Sequence, residues 1–401
     1  MKSTLLRLLL FVLFSLSAAF SAVASPTISL LTVGSTDEEA FFLYGHTGIR
    51  VRIPEESYDY VFNYGYFSLQ QPNFYLNFIL GKPLYMLGVT PMESFLEDYR
   101  AGGRAVTEQV LNLSEKEAED FLAFLEWNAR PENAQYRYNF FFDNCATRPR
   151  DLIEKFSGGL TYHIDETEFP TFREAAREKS ESAQWYTFGA DICLGSQSDK
   201  RMTAKDAAYL PDLLMKEMDS ATRNSDGAPI VLSKTELLPQ THTIVQGGFY
   251  WPGFFFSVLV AALFVIYFFV KSNRLTLNII ATLFFSVMGI LGITLWFLAF
   301  LSAHPHTFPN ENLFLYHPFW FLLIPLLYRK DTVRRTLYQD LLFWLFTASL
   351  GLLAVLVIIP GGQVLPRGEL LLWLSAILLV IYTFYPDPKR IGKPNFRTSE
   401  S

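Results

Sequence analysis

Covalent chemistry in this chain starts from Cys145, one of two cysteines among its 401 residues, the other being Cys193. A strand-like run, Tyr136–Phe142, leads through Asp143 and Asn144 into Cys145, and a helix is expected to follow. Pro149 is tolerated in a first turn, Leu152, Ile153 and Phe156 form an apolar face, and Gly158-Gly159 stops the helix. A thiol at a helix start is stabilised as thiolate by unpaired backbone N–H groups and the helix dipole, and Arg148 and Arg150 would add to that field. A buried structural cysteine is the plainer reading, since free cysteine is among the most buried residue types. The polar neighbours Asp143, Asn144, Thr147 and Arg148 suit an accessible nucleophile better. A single Cys145–Cys193 disulfide is also open, and counting does not decide it.

A thiol nucleophile needs a base, usually a histidine held by a third group. Upstream of the apolar half of the chain stand only His46, His163 and His242. His242 falls in a linker, and His163 follows the Gly158-Gly159 break in a segment without pattern, where a surface role is expected. His46 opens the alternating run HTGIRVRI (His46–Ile53), with Gly45 and Gly48 allowing close approach. Pro54-Glu55-Glu56-Ser57 is a turn, and Tyr58–Phe67 (YDYVFNYGYF) returns as the second strand of an antiparallel hairpin. A turn centred between Pro54 and Glu56 sets residue 46 across from 63 or 64, making Asn63 the expected partner of the imidazole and Asp59 the second choice.

The elements around this pair read as α+β. Ser114-x-x-Glu117 is a capping box opening a helix whose apolar face is Ala118, Phe121, Leu122 and Leu125, ended by Arg130-Pro131-Glu132-Asn133. Met202–Ala221 reads as one further helix, and no internal repeat is visible.

Composition places all this beside a membrane. Half the residues are hydrophobic and 18% are charged, less than a soluble protein of this size carries. The 33 basic residues against 39 acidic give no polycationic face, which argues against nucleic acid. Residues 1–24 read as a signal peptide: Lys2 and Arg7 precede an apolar core, and Ala22-Val23-Ala24 fits the small-x-small cleavage rule. Residues 25–248 then form an exported domain with its linker, and 249–385 a bundle of five apolar spans. The spans are Phe249–Val270, Leu277–Leu301, Leu313–Tyr328, Leu341–Ile359 and Leu370–Tyr385, each near the ~20 residues that cross a bilayer. Pro318 and Pro325 should kink the third or pack it inside the bundle. Basic residues gather at 271–274, at 329–335 and in the tail 386–401, so the positive-inside rule puts that tail in the cytoplasm and the exported domain outside. His304 and His306 could ligate a metal as H-x-H, but no acidic residue is suitably spaced as a third ligand, and polar residues at a bilayer interface, with His317 nearby, is the better reading.

The segments YGHTGIR (Tyr44–Arg50), FNYGYF (Phe62–Phe67), PNFY (Pro72–Tyr75) and NCATR (Asn144–Arg148) resemble the periplasmic domain of the Bacteroides-type lipoprotein N-acyltransferase. The resemblance covers most of Thr27–Leu238, and the signal peptide and C-terminal helices fit the same layout. It implies a permuted papain-like (NlpC/LRAT-type) exported domain, related to lecithin:retinol acyltransferase, followed by an all-α bundle of five transmembrane helices. It also implies a thiol-based transacylase of the bacterial inner membrane, with nucleophile and base falling on Cys145 and His46. Related enzymes often carry a second histidine on the next strand; here Asn63 must serve, or the site is a dyad. The Cys145 and Ala146 N–H groups would hold the oxyanion, with Asn144 and Arg148 beside them. The donor would be a membrane phospholipid and the acceptor a diacylated lipoprotein, with no cofactor called for. A cysteine amidase or peptidase acting on cell-wall peptides, and a non-catalytic membrane scaffold, are the rival readings. Oligomeric state is not legible.

Overall fold

The computed structural model describes residues 25–245, 247–269, 274–329, 336–359 and 361–385. The expected signal peptide (1–24) and basic tail (386–401) lie outside the described residues.

The exported half is built on a seven-stranded antiparallel sheet. Its strands are β1 (Thr27–Val33), β2 (His46–Ile53), β3 (Tyr58–Tyr66), β4 (Leu84–Pro91), β5 (Val106–Leu111), β6 (Gln135–Arg137) and β7 (Val231–Leu238), in the order β6-β4-β3-β2-β1-β5-β7. Strand β1 lies inside the sheet between β2 and β5 and is almost wholly buried, so its alternating side chains feed two cores. Ile28 and Leu30 pack with Ile49, Val51 and Phe62 on one face, while Leu31 and Val33 join Val61 on the other. Helices α1 (Phe74–Ile79), α2 (Met92–Ala101), α3 (Glu115–Asn128), α4 (Thr147–Phe156), α5 (Phe172–Ser180), α6 (Gln184–Cys193) and α7 (Pro211–Ser220) surround it. Phe121 of α3, Ile153 of α4 and Leu214 of α7 close the first core; Met92 and Phe95 of α2 close the second.

The capping box at Ser114 forms as expected: its hydroxyl accepts from Glu117 N–H and its own N–H donates to the Glu117 carboxylate. Two expected elements are shorter than their patterns. The run Tyr136–Phe142 pairs only over Gln135–Arg137, because Asn139 turns the chain and its Oδ1 accepts from the N–H groups of Phe141 and Phe142. The helix expected over Met202–Ala221 is divided into one turn, Ala204–Ala207, and α7, whose first residue Pro211 has no N–H to continue a preceding helix.

Beyond the linker lie α8 (Trp251–Phe269), α9 (Arg274–Leu301), α10 (Leu337–Ile358) and α11 (Glu369–Phe384). The first two, and Leu337–Leu356 of α10, are long and apolar enough to cross a membrane; α11 is apolar but has 16 residues. The third expected span differs from a transmembrane helix. Residues 311–327 form two 3-10 stretches, Glu311–Phe314 and Pro318–Leu323, and a single α turn, Ile324–Leu327. Pro318 and Pro325 remove two backbone donors, and the segment is held inside the bundle instead. Trp320 is fully buried against Phe285, Phe346 and His317, and its indole N–H donates to Leu315 O at 2.7 Å. Gly292 of α9 lets this broken segment approach, since a Cβ there would stand 2.3 Å from the His317 carbonyl carbon.

The two halves meet through backbone. Gly195 N–H donates to His306 O at 2.6 Å and Ser196 N–H to Pro309 O at 2.9 Å, while the Asn310 side chain donates to Ile192 O and Cys193 O. Beneath this loop, buried Arg173 pairs with Asp191 and Asp199 and donates to the carbonyls of Leu194 and Gly195.

Candidate active site

The imidazole is positioned by the β2–β3 hairpin. The strands pair as Ile53↔Tyr58, Arg52↔Asp59 and on to Ile49↔Phe62. Continuing this register sets Asn63 across from Gly48 and His46 across from Gly65, two residues past Asn63 and one past Tyr64, the two oppositions expected at His46. A shift of two keeps every side chain on its face, so His46 and Asn63 still share one, now as a diagonal pair. Gly48 makes the diagonal passable: a Cβ there would stand 3.0 Å from Asn63 Oδ1 and 2.8 Å from Val61 Cγ1.

Asn63 meets His46 Nε2 through Oδ1 at 3.2 Å. Its Nδ2 donates to Val61 O at 3.2 Å, which fixes the amide so that its oxygen faces the ring. An oxygen can only accept, so Nε2 carries the proton and Nδ1 is the basic nitrogen. Burial pushes the imidazole down to about 4, offset in part by the Asn63 bond, with the Arg104 cation adding to the depression. Asp59, the second choice, is engaged elsewhere: it pairs with Arg50, which also reaches Glu108.

Cys145 precedes α4 and stands at the end of β2 where His46 begins. The backbone N–H groups of Thr47 and of the cysteine itself favour the charged form of its sulfur. A Cβ on Gly65, whose φ is +107°, would lie 3.6 Å from Cys145 Cβ, so the β3 backbone passes close beneath the thiol. Cys145 is half-buried, open enough to be reached, but the dense surroundings push its thiol up to about 11 despite those N–H groups and Arg104. The thiolate expected from the helix start is therefore not the resting form; thiol and neutral imidazole are.

The neighbours hold other tasks than expected. Asn144 braces the start of α4: Oδ1 accepts from Ala146 N–H at 2.8 Å and Thr147 N–H at 2.9 Å, and Nδ2 donates to Phe140 O and Tyr209 O. The Ala146 N–H is thus occupied, correcting its expected place among the oxyanion donors. Arg148 forms a bidentate pair with Asp143 and lies over the Tyr136 ring at 3.6 Å, and Arg150 is held by Asp151 and Lys205 O. Neither supplies the field at the sulfur. That cation is Arg104, which the sequence reading missed. It is almost fully buried, donates from Nε to Gly34 O at 2.8 Å, lies between the rings of Phe42 and Tyr99, and acts on both Cys145 and His46. Gly34 follows Val33, the β1 partner of His46, so β1 itself carries Arg104 to the site. The available signal was a lone arginine after Gly102-Gly103 at the entry to β5, too weak to single out.

Cys193 is also a free thiol and packs against the membrane helices. His163 bonds Thr222 at the surface and His242 pairs with Asp37. His304 and His306 do not converge: the first bonds Phe78 O, the second packs among Phe141, Phe142 and Phe172.

Compared with known families, residues 18–178 match the model of the Lnb N-terminal periplasmic domain and residues 244–387 that of the Lnb transmembrane domain. No curated protein and no solved structure matches the chain. The two matches together cover well over half of the sequence, in the order that the fold shows: a mixed α/β periplasmic domain, then apolar helices. The chain belongs to the Lnb family and has the architecture of the Bacteroides-type lipoprotein N-acyltransferase.

Proposed function

We propose that this chain moves an acyl chain from a membrane phospholipid to the N-terminal cysteine amine of diacylated lipoproteins, through a thioester on Cys145. The observation that carries this reading is the imidazole of His46, fixed by Asn63 with Nδ1 as its basic nitrogen at the strand end where Cys145 stands. Family membership supports lipoprotein N-acylation as the process; the thiol route, the donor and the acceptor are our inference.

As the Cys145 sulfur attacks the ester carbonyl, His46 Nδ1 takes the thiol proton. With both groups neutral at rest, proton transfer accompanies attack rather than preceding it. The oxyanion is held by the Cys145 and Thr47 N–H groups, in place of Ala146. Collapse breaks the ester C–O bond, and His46 returns the proton to the departing lysophospholipid oxygen. The lipoprotein amine then attacks the thioester, His46 accepts its proton, and the Cys145 thiolate leaves and is reprotonated by His46. The products are an amide and the free enzyme, and no further reactant is needed. The site would lie on the periplasmic side of the inner membrane, with the C-terminus cytoplasmic.

The test is mass analysis of lipoprotein N-termini from cells carrying Cys145→Ser. Diacylated chains with a free amine are expected; N-acylation persisting at normal protein levels would sink the proposal. The free Cys145 and Cys193 thiols weigh against a scaffold held by their bridge.

A further inference from the structure

The membrane-proximal surface of the exported domain carries an unusual element. Of the six residues of α1, only Phe74 is buried; Tyr75 is 67% exposed, and Leu76, Phe78 and Ile79 are about half exposed. Leu69, in the turn before it, is 56% exposed. A soluble surface rarely gathers such side chains without a partner. Residues 60–92 contain no acidic residue, and their single charge is Lys82, exposed three residues after α1.

Its position names the partner. Leu80 O accepts from Ala303 N–H at 2.9 Å, and Phe78 O is bonded by His304 Nε2 at 2.8 Å. Ala303 lies two residues past the end of α9. Thus α1 is tied to the level at which a membrane helix emerges, and its apolar face continues from the lipid-facing surface of the bundle. Lys82 is exposed at that level, where a basic side chain at a bilayer interface would face headgroup phosphates. A second copy of this chain would not need that cation, and a soluble partner would not need the apolar face at this depth.

Behind α1 an aromatic row runs inward. Ring centroids are 6.1 Å apart from Phe78 to Phe74, 5.7 Å from Phe74 to Phe67, 4.8 Å from Phe67 to Tyr85 and 4.3 Å from Tyr85 to Tyr138. Phe67 lies two residues from Gly65, the residue beneath Cys145. The row therefore starts at α1, passes Phe67 just past the end of the strand that runs beneath the thiol, and ends at Tyr138, which feels the Cys145 charge.

We propose that α1 and its preceding turn insert into the leaflet on the exported domain's side, and that the aromatic row leads a glycerophospholipid ester from there to Cys145. Insertion stands on geometry alone; the purpose given to it rests on the function proposed above. The contact is of the interfacial kind, shallow and set by apolar area together with one cation.

The test uses the full chain in nanodiscs of phosphatidylethanolamine and phosphatidylglycerol. Leu76→Cys, in a Cys145→Ser and Cys193→Ser background, carries an environment-sensitive fluorophore; Lys116→Cys, exposed on α3, is the control. The expected result is quenching at position 76 by nitroxide-bearing lipid and shielding from aqueous iodide, with the reverse at 116. Iodide quenching at 76 equal to that at 116 overturns insertion, whatever the enzyme does. In the native-cysteine chain, Leu76→Ser with Phe78→Ser should raise KM for vesicle lipid about tenfold, as expected from lost apolar contact, while alkylation of Cys145 by a small reagent keeps its rate. Unchanged KM with position 76 embedded would overturn the guiding role and leave insertion standing. Persistent N-acylation in Cys145→Ser would instead remove the proposed function and leave the quenching result to judge insertion.

Discussion

At the scale of single residues, the site is a neutral pair tuned from two directions. His46 loses activity as a base when protonated, so the acidic limb of kcat/KM should track its depressed value near 4. Asn63→Asp keeps an acceptor on Nε2 and adds a negative charge, which stabilises the imidazolium. The limb should then move to higher pH, while Asn63→Ala, which frees the ring, should cost roughly 10–100-fold, typical of losing an orienting partner. A pH–rate profile on vesicles reads both; an unmoved acidic limb in Asn63→Asp would show that His46 is not the base. Arg104 is the second lever. It lowers the thiol and lowers the imidazole, so Arg104→Gln should raise both, making Cys145 slower to alkylate at a given pH and moving the acidic limb upward. Arg104→Lys, keeping the charge, should recover part of each. Cys145 and His46 were legible because their types are rare in the exported domain and their chemistry narrow. Arg104 and the Thr47 N–H were not, because a cation and a backbone donor gain meaning only from what the fold sets beside them.

At the scale of elements, the β2–β3 hairpin is the positioning device. Alternation and a proline turn were enough to see it in the sequence, yet the turn residues left the register open by two. The face survived and the opposition did not, so Gly48, expected only to allow close approach beside His46, turns out to lie under the Asn63–His46 diagonal. Gly48→Ala should press on Val61 and Asn63 and break the Asn63–His46 bond, so it should resemble Asn63→Ala in rate. Gly65→Ala meets a different obstacle: its φ of +107° is strained for any L side chain, at a cost of about 1–3 kcal/mol. Gly65→Ala should therefore lower Tm as well as rate, whereas Gly48→Ala should lower rate more than Tm. Equal losses of Tm in the two variants would deny Gly48 a specific role. The Pro-containing third span shows the converse limit. Its two prolines were enough to expect a kinked or internally packed span, but its division into 3-10 stretches around buried Trp320 depends on packing that leaves no period in a sequence.

At the scale of the whole molecule, catalysis on lipids requires that the thiol and the bilayer keep a fixed relation. That relation depends on a few buried polar contacts between α6 and the loop after α9. Asn310 is the centre: its Nδ2 donates to Ile192 O and Cys193 O, and its Oδ1 accepts from Asn312 N–H and Gln363 Nε2. One side chain thus satisfies buried backbone from both halves, and Asn310→Ala leaves those groups unpaired, at about 1–3 kcal/mol for such a buried loss. Among the described residues the Asn310 side chain bonds only Ile192, Cys193, Asn312 and Gln363, and the catalytic side chains come from β2, β3 and the start of α4. Asn310→Ala should therefore loosen the exported domain on the bundle while leaving its chemistry intact. Proteolysis in the 194–200 segment should quicken and vesicle activity should fall, while alkylation of Cys145 by a small reagent keeps its rate and pH dependence. If alkylation slows in step with vesicle activity, the loop is supporting the fold of the site rather than its placement on the membrane. If vesicle activity is unchanged while proteolysis quickens, α1 alone suffices to hold the thiol at the lipid surface, and the membrane helices serve to tether rather than to position.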